Sequence, residues 1–163
     1  MTDVTYSYIA TEKRATPALV PGKGDANSVK VLVCSVIELA VSTAGKTFKL
    51  GRIPSNARIL PNGLIANDDL VAGATAPTLS IGIGSVDNNL TGSASAINSG
   101  ISLAAASSTN QVLADIANAG KYAWELAGAT SDPGGEVDVY GSVLADATDQ
   151  VGTVSVVILG YFD

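Results

Sequence analysis

The chain has no histidine and only one cysteine, Cys34, in 163 residues. Without an imidazole there is no Ser-His-Asp or Cys-His nucleophile pair, no His-liganded zinc and no histidine general base. A lone thiol forms neither an intramolecular disulfide nor a thiolate metal cluster. Aromatic residues are also scarce, at 5%, and charged residues make up 15%, against roughly 25% in an ordinary soluble domain. Cations are outnumbered: 9 Lys and Arg stand against 15 Asp and Glu, for a formal net charge of −6. Such acidity argues against a nucleic-acid partner, which calls for a basic footprint. Long apolar runs are missing as well. Residues 70–111 carry little charge but are broken by Pro77, Asp87 and several glycines, so no membrane helix is expected. The first residues lack the basic-then-apolar pattern of a secretory leader.

What remains is a chain of small and β-branched residues, 47% hydrophobic, with 17 glycines. A low charge count leaves little polar surface to solvate a lone monomer, so assembly is expected. The charge is also unevenly placed. Residues 1–58 hold eight of the nine cations against four acids, net +4, while residues 59–163 hold Lys121 against eleven acids, net −10. One reading turns the N-terminal part toward an acidic partner. In the other, the two parts interleave and their charges cancel.

Residues 1–28 read as an arm. Pro17, Pro21, Gly22, Gly24, Asp25 and Asn27 crowd together there, and only Val4, Tyr6 and Tyr8 alternate. The remainder, 29–163, reads as one domain. From 29 to 41, Val29, Val31, Val33, Ser35, Ile37, Leu39 and Val41 take every second position, the mark of a half-buried strand. Cys34 lies on the opposite phase and is expected to act as a small buried hydrophobe. A turn at 42–45 precedes a second strand at 47–53. Pro54-Ser55-Asn56 turns the chain into a third stretch, 57–66, broken near Pro61-Asn62-Gly63. Leu79, Ile81 and Ile83 alternate with Ser80, Gly82 and Gly84, so another backbone can approach the bare side closely. Residues 91–119 offer few landmarks and read as a long loop with weak strands. Residues 121–127 favour a helix capped by Gly128, with Trp124 expected to plug one end of the core. Asp132-Pro133-Gly134-Gly135 marks a turn. An alternating strand over 137–145 and a nearly continuous apolar one over 151–162 close the chain. The last is expected to be buried on both faces or to lie at an interface. These elements predict an all-β fold, an antiparallel β-sandwich or jelly-roll-like barrel with one short helix.

Several segments imitate chemistry. Residues 40–47 end in Gly45-Lys46-Thr47 like a phosphate-binding loop. However, alanine stands where that loop starts with glycine, and an alternating stretch rather than a helix follows. A hairpin turn is expected there. Asp68-Asp69 and Asp87-Asn88-Asn89 have oxygen donors but not the spacing of a calcium loop. Glu125 and Glu136 would have to converge to serve as a glycosidase pair. Asn89-Leu90-Thr91 fits the glycosylation triplet, which needs a secretory context. No catalytic residue, cofactor or metal is assigned.

Two segments carry a resemblance. Phe48-Lys49-Leu50-Gly51-Arg52-Ile53-Pro54-Ser55-Asn56-Ala57-Arg58-Ile59 is similar to the F-x-L-x-x-(L/I)-P-x-N-A-x-I stretch of small proteins from tailed-bacteriophage head modules. Trp124-Glu125-Leu126-Ala127-Gly128, followed by Asp132-Pro133, resembles their later W-E-L-x-G … D-P stretch. Residues 85–119 depart from that pattern in being richer in Ala, Ser and Gly. The relatives are capsid decoration, or cement, proteins. The resemblance implies a non-enzymatic virion protein on the outer face of an icosahedral head. Its partners would be the major capsid protein and further copies of itself, as a homotrimer, with no nucleic acid and no membrane. The candidate contact residues are Tyr6, Tyr8, Lys13, Arg14, Lys23, Arg52 and Arg58. Two other classes stay open: a receptor- or glycan-binding module of a fibre or tail, with calcium at the Asp-rich turns, and a carboxylate hydrolase.

Overall fold

Residues of alternating polarity fold here into two sheets that share one core. The computed structural model describes residues 29–39, 47–68, 70, 77–84, 92–144 and 152–162. The expected arm and the turn at 42–45 lie outside the described residues. So do Asp69, the 87–89 cluster and the 89–91 triplet.

The strands are β1 (Lys30–Leu39), β2 (Thr47–Pro54), β3 (Ala57–Ile59), β4 (Leu64–Asn67), β5 (Thr78–Gly84), β6 (Ser93–Ser102), β7 (Ser107–Gln111), β8 (Glu136–Leu144) and β9 (Gly152–Phe162). A short helix, α1 (Ala123–Leu126), follows a 3-10 turn at Ile116–Asn118. One sheet runs β1-β9-β4-β7, with β3 also paired to β9, and the other runs β2-β8-β5-β6. Pairing is antiparallel throughout: β1 with β9, β2 with β8, β4 with β7 and β5 with β6. The early strands thus pair with the late ones in reverse order, as in a long hairpin rolled into a barrel. This is a jelly roll, and the expected all-β fold is what forms.

The core lies between the sheets. Ile53, Ile59, Ile65, Leu79, Ile81, Ile83, Val139, Val154, Val156 and Ile158 are all essentially inaccessible. Alternation explains most of them, and β1 shows where it breaks. Its register with β9 jumps between Val31 and Val33, leaving Leu32 as an extra residue. Such a bulge reverses the phase. Val33, Ile37 and Leu39 therefore point inward, whereas Val31 points out.

Three expectations need correction. The residues after Thr47 form a strand, as argued against a phosphate-binding loop, but β1 and β2 belong to different sheets. The chain crosses over the core there instead of closing a hairpin. The small-residue tract is not mainly loop: β6 and β7 come from it, and β6 spans ten residues. Ser and Ala carry little periodic signal, so their pairing is dictated by the neighbouring strands. Cys34 is exposed, not buried, because the outer side of β1 has no layer over it.

The bare side of β5 does receive a close backbone. Between Ile81↔Asn98 and Ile83↔Ser93, β5 advances two residues while β6 advances five, so β6 bulges over Gly82. A Cβ on Gly82 would lie 2.6 Å from the Ala94 carbonyl carbon and would also meet Ser93 O. Backbone cannot swing aside as a flexible side chain can. Gly82→Ala is therefore expected to destabilise the fold by about 1–3 kcal/mol, read as a lower denaturation midpoint at unchanged m-value.

Candidate functional site

Cross-strand register arranges the outer face of the β1-β9-β4 sheet into rows, because residues opposite each other share a side. Cys34, Val157 and Leu64 form the middle row, continued by Gln111 on β7. Val36, Ser155 and Ala66 form the row on one side, and Val31 and Leu159 the row on the other. Val36 is 65% exposed, Val31 60% and Leu64 51%. These three rows contain no charged residue.

Charge appears only at the two ends. At one, Glu38 pairs with Thr153, and Asp68 accepts the Thr153 N–H at 2.9 Å while donating its own N–H to Thr153 O at 3.0 Å. A shallow recess of about 420 Å³ lies beside them, lined by Asn67, Asp68, Ser107, Ser108 and Thr153 among others. At the other end Lys30 pairs with Gly160 and Arg58 with Tyr161.

The Arg58 end is a built corner. The guanidinium carbon sits 3.8 Å from the centroid of the Tyr122 ring, a cation–π geometry. Nη1 donates to Gly120 O at 2.7 Å. Tyr122 stacks on Trp124 with centroids 5.8 Å apart and planes 15° from parallel. Local chemistry places these rings. Glu125 accepts the Tyr122 N–H at 2.8 Å at the helix N-terminus, where a carboxylate is favourable, and Gly128 at φ +86° ends the turn. The Trp124 N–H donates to Ser55 O at 3.2 Å, and Gly120 N–H to Ile59 O at 3.3 Å. Residues 48–59 and 124–128, far apart in the chain, thus meet at this corner. Trp124 does not plug the core as expected. It is only half-buried, its ring held on the surface by Tyr122.

The candidate contact residues fall in three places. Tyr6, Tyr8, Lys13, Arg14 and Lys23 lie outside the described residues. Arg58 is at the corner. Arg52 is in the other sheet, on β2, where its Nε donates to Asp138 Oδ1 at 2.8 Å and Glu136 lies 4.0 Å away. Lys49 reaches the same Asp138 oxygen at 2.7 Å. The two arginines therefore form no common patch. Part of the charge asymmetry is also closed within the fold, since basic β2 pairs with acidic β8. Burial alone would raise the Asp138 pKa, but hydrogen bonds from Lys49 and Arg52, with their charges, outweigh it and hold the carboxyl below 3.8.

Glu125 is occupied as a helix cap and Glu136 faces Arg52, so they are not joined in a carboxylate pair. Among the described residues no group of three or more His, Cys, Asp or Glu could hold a metal. Sequence reasoning did not identify the apolar face as such. Its signal was the double-phase apolarity of β9, whose inner phase (Val154, Val156, Ile158) is fully buried while Val157 and Leu159 are half-exposed.

No protein-family model matches this chain, and no curated protein matches it. Solved structures do. A chain of the Cyanophage Pam1 capsid asymmetric unit superposes with a TM-score of 0.56 at 22% identity, over 92% of this chain and 97% of that one. A chain of the capsid of Ralstonia phage GP4 superposes with a TM-score of 0.51 at 20% identity, over 88% of each. The likeness is one of fold.

The Asp138 cluster makes a pH prediction. A lowered folded-state pKa contributes stability that is present above the ordinary value of 3.8 and lost as pH falls through the folded value. Lys49 and Arg52 are partly exposed, which screens the pairs. Asp138→Asn is expected to destabilise by about 1 kcal/mol near pH 7. Urea titrations should show that difference closing by about pH 2.5.

Proposed function

We propose that this chain is a non-catalytic structural protein of a bacteriophage virion, bound to the outer face of the head. There it stabilises contacts between major capsid subunits. The observation that carries this reading is the jelly roll it shares, over nearly its whole length, with chains of two phage capsids. A second support is the corner where Arg58, Tyr122 and Trp124 meet, because it joins the two segments that resemble decoration proteins.

The physical requirements of such a role are modest. A clamp needs buried area and a chain that crosses between neighbours, multiplied over many copies. Residues 1–28 supply the crossing segment in this reading, with Tyr6 and Tyr8 as apolar anchors and Lys13, Arg14 and Lys23 as charge contacts. Strand addition onto a neighbour would contribute main-chain hydrogen bonds. Arg52 and Arg58 would act from the folded domain. A glycan-binding role finds less support, since no aromatic residue lines the recess beside Asp68.

Electron microscopy of purified heads with and without this protein tests the reading. Added density on the outer surface is expected in its presence, together with greater resistance of the shell to heat. Deleting residues 1–28 should leave a folded domain, seen by circular dichroism, and lower its occupancy on the head. Undiminished binding of the shortened chain removes the role given to that segment, and density absent from the head removes the reading itself.

A further inference from the structure

The outer face of the β1-β9-β4 sheet carries its charges in a pattern with a consequence for self-association. Take the Cys34–Val157–Leu64 row as its midline. Lys30 and Arg58 lie level with Gly160 and Tyr161 on β9, three and four residues to one side of Val157. Glu38 and Asp68 lie level with Thr153, four residues to the other side. Between them are only apolar and small uncharged side chains, with Val31, Val36 and Leu64 more than half exposed.

We propose that this face binds a second copy of the chain, related by a two-fold axis that lies between the two sheets and runs across the strands at the level of Val157. That axis reverses the strand direction of the partner while keeping β1 over β1. The basic end of each copy then covers the acidic end of the other. Lys30 meets Glu38 and Arg58 meets Asp68, each pair occurring twice. The alternative two-fold axis, along the strands, stacks basic end on basic end and is repelled. The electrostatics therefore choose one axis, and symmetry doubles the effect, as in isologous interfaces generally.

The size is sufficient. Strands of about ten residues rise roughly 33 Å, and four strands span roughly 19 Å, so each copy offers on the order of 600 Å². A pair buries about 1,200 Å², the lower end of specific interfaces. The uncharged middle supplies the desolvated centre such an interface needs, and the charged ends supply its rim. This pairing stands apart from the virion reading and differs from the trimer implied by the resemblance.

Sedimentation equilibrium on the full-length protein tests it, with circular dichroism to verify folding of each variant. A concentration-dependent dimer is expected. Val36→Asp, at an exposed position, should abolish it. Glu38→Lys should weaken it about tenfold by setting like charges together. Glu38→Lys combined with Lys30→Glu should bring it back close to the original affinity, because the swapped charges again oppose across the axis. Alkylation of Cys34 by iodoacetamide should slow as dimer forms. A monomer at about 100 µM overturns the proposal, as does a trimer or a dimer indifferent to these substitutions. A chain that dimerises only after Tyr6→Asp and Tyr8→Asp assigns the face to its own N-terminal segment and overturns it too. Protection of Cys34 on heads alone assigns the face to capsid and does the same.

Discussion

Val154, Val156 and Ile158 fill the core from one side of β9, while the backbone of the same strand is paired with β1 along one edge and with β4 and β3 along the other. Few strands in the fold have as many dependents. Gly160 shows how tight the arrangement is: a Cβ there would collide with Arg58 O of β3 and with the Leu32 side chain of β1. Because β9 is the last strand and β1 the first described one, this sheet cannot close until nearly the whole chain is in place. Folding is accordingly dominated by long-range pairing, the slow regime for two-state proteins.

The two sheets treat their polar residues differently. In the β2-β8 pair, cations from the basic early part of the chain settle on a shared acidic partner, Asp138. That cluster belongs to stability. In the β1-β9-β4 sheet, charge is pushed to the two ends and the centre is left apolar and uncovered. An apolar face of this kind on a domain with few charges is the feature most in need of a partner, and it is built from rigid strands rather than loops.

Much of the architecture was legible in residues of alternating polarity. The Thr47–Pro54 strand, the turn at 55–56, the break before Leu64, the Gly128 cap and the Asp132-Pro133-Gly134-Gly135 turn all form as local chemistry predicts. The close approach at Gly82 was legible too, because only a strand lacking side chains on one side admits another backbone. The tract 91–119 was not, since Ser, Ala and Gly suit strand, loop or turn alike, and β6 and β7 exist because β5 and β4 template them. Cys34 and Trp124 were misplaced for one shared reason. Phase and size tell which side of an element a residue occupies, not whether a second layer covers that side.

The site was legible only in fragments. The two segments around Arg58 and Trp124 stood out separately, and only the fold joined them through Arg58, Tyr122 and Trp124. Absent histidine, a single thiol, scarce charge and period-two patterning were enough, without coordinates, to set a β-rich domain free of imidazole or thiolate-cluster chemistry. Those are properties of composition and of neighbours along the chain. Which strands pair, which phase of β9 stays uncovered, and that Arg58 ends up at one end of that face with Asp68 at the other were decided by the tertiary structure. The reason is that register and layering depend on contacts between residues distant in sequence, and no local pattern encodes which distant strand will arrive.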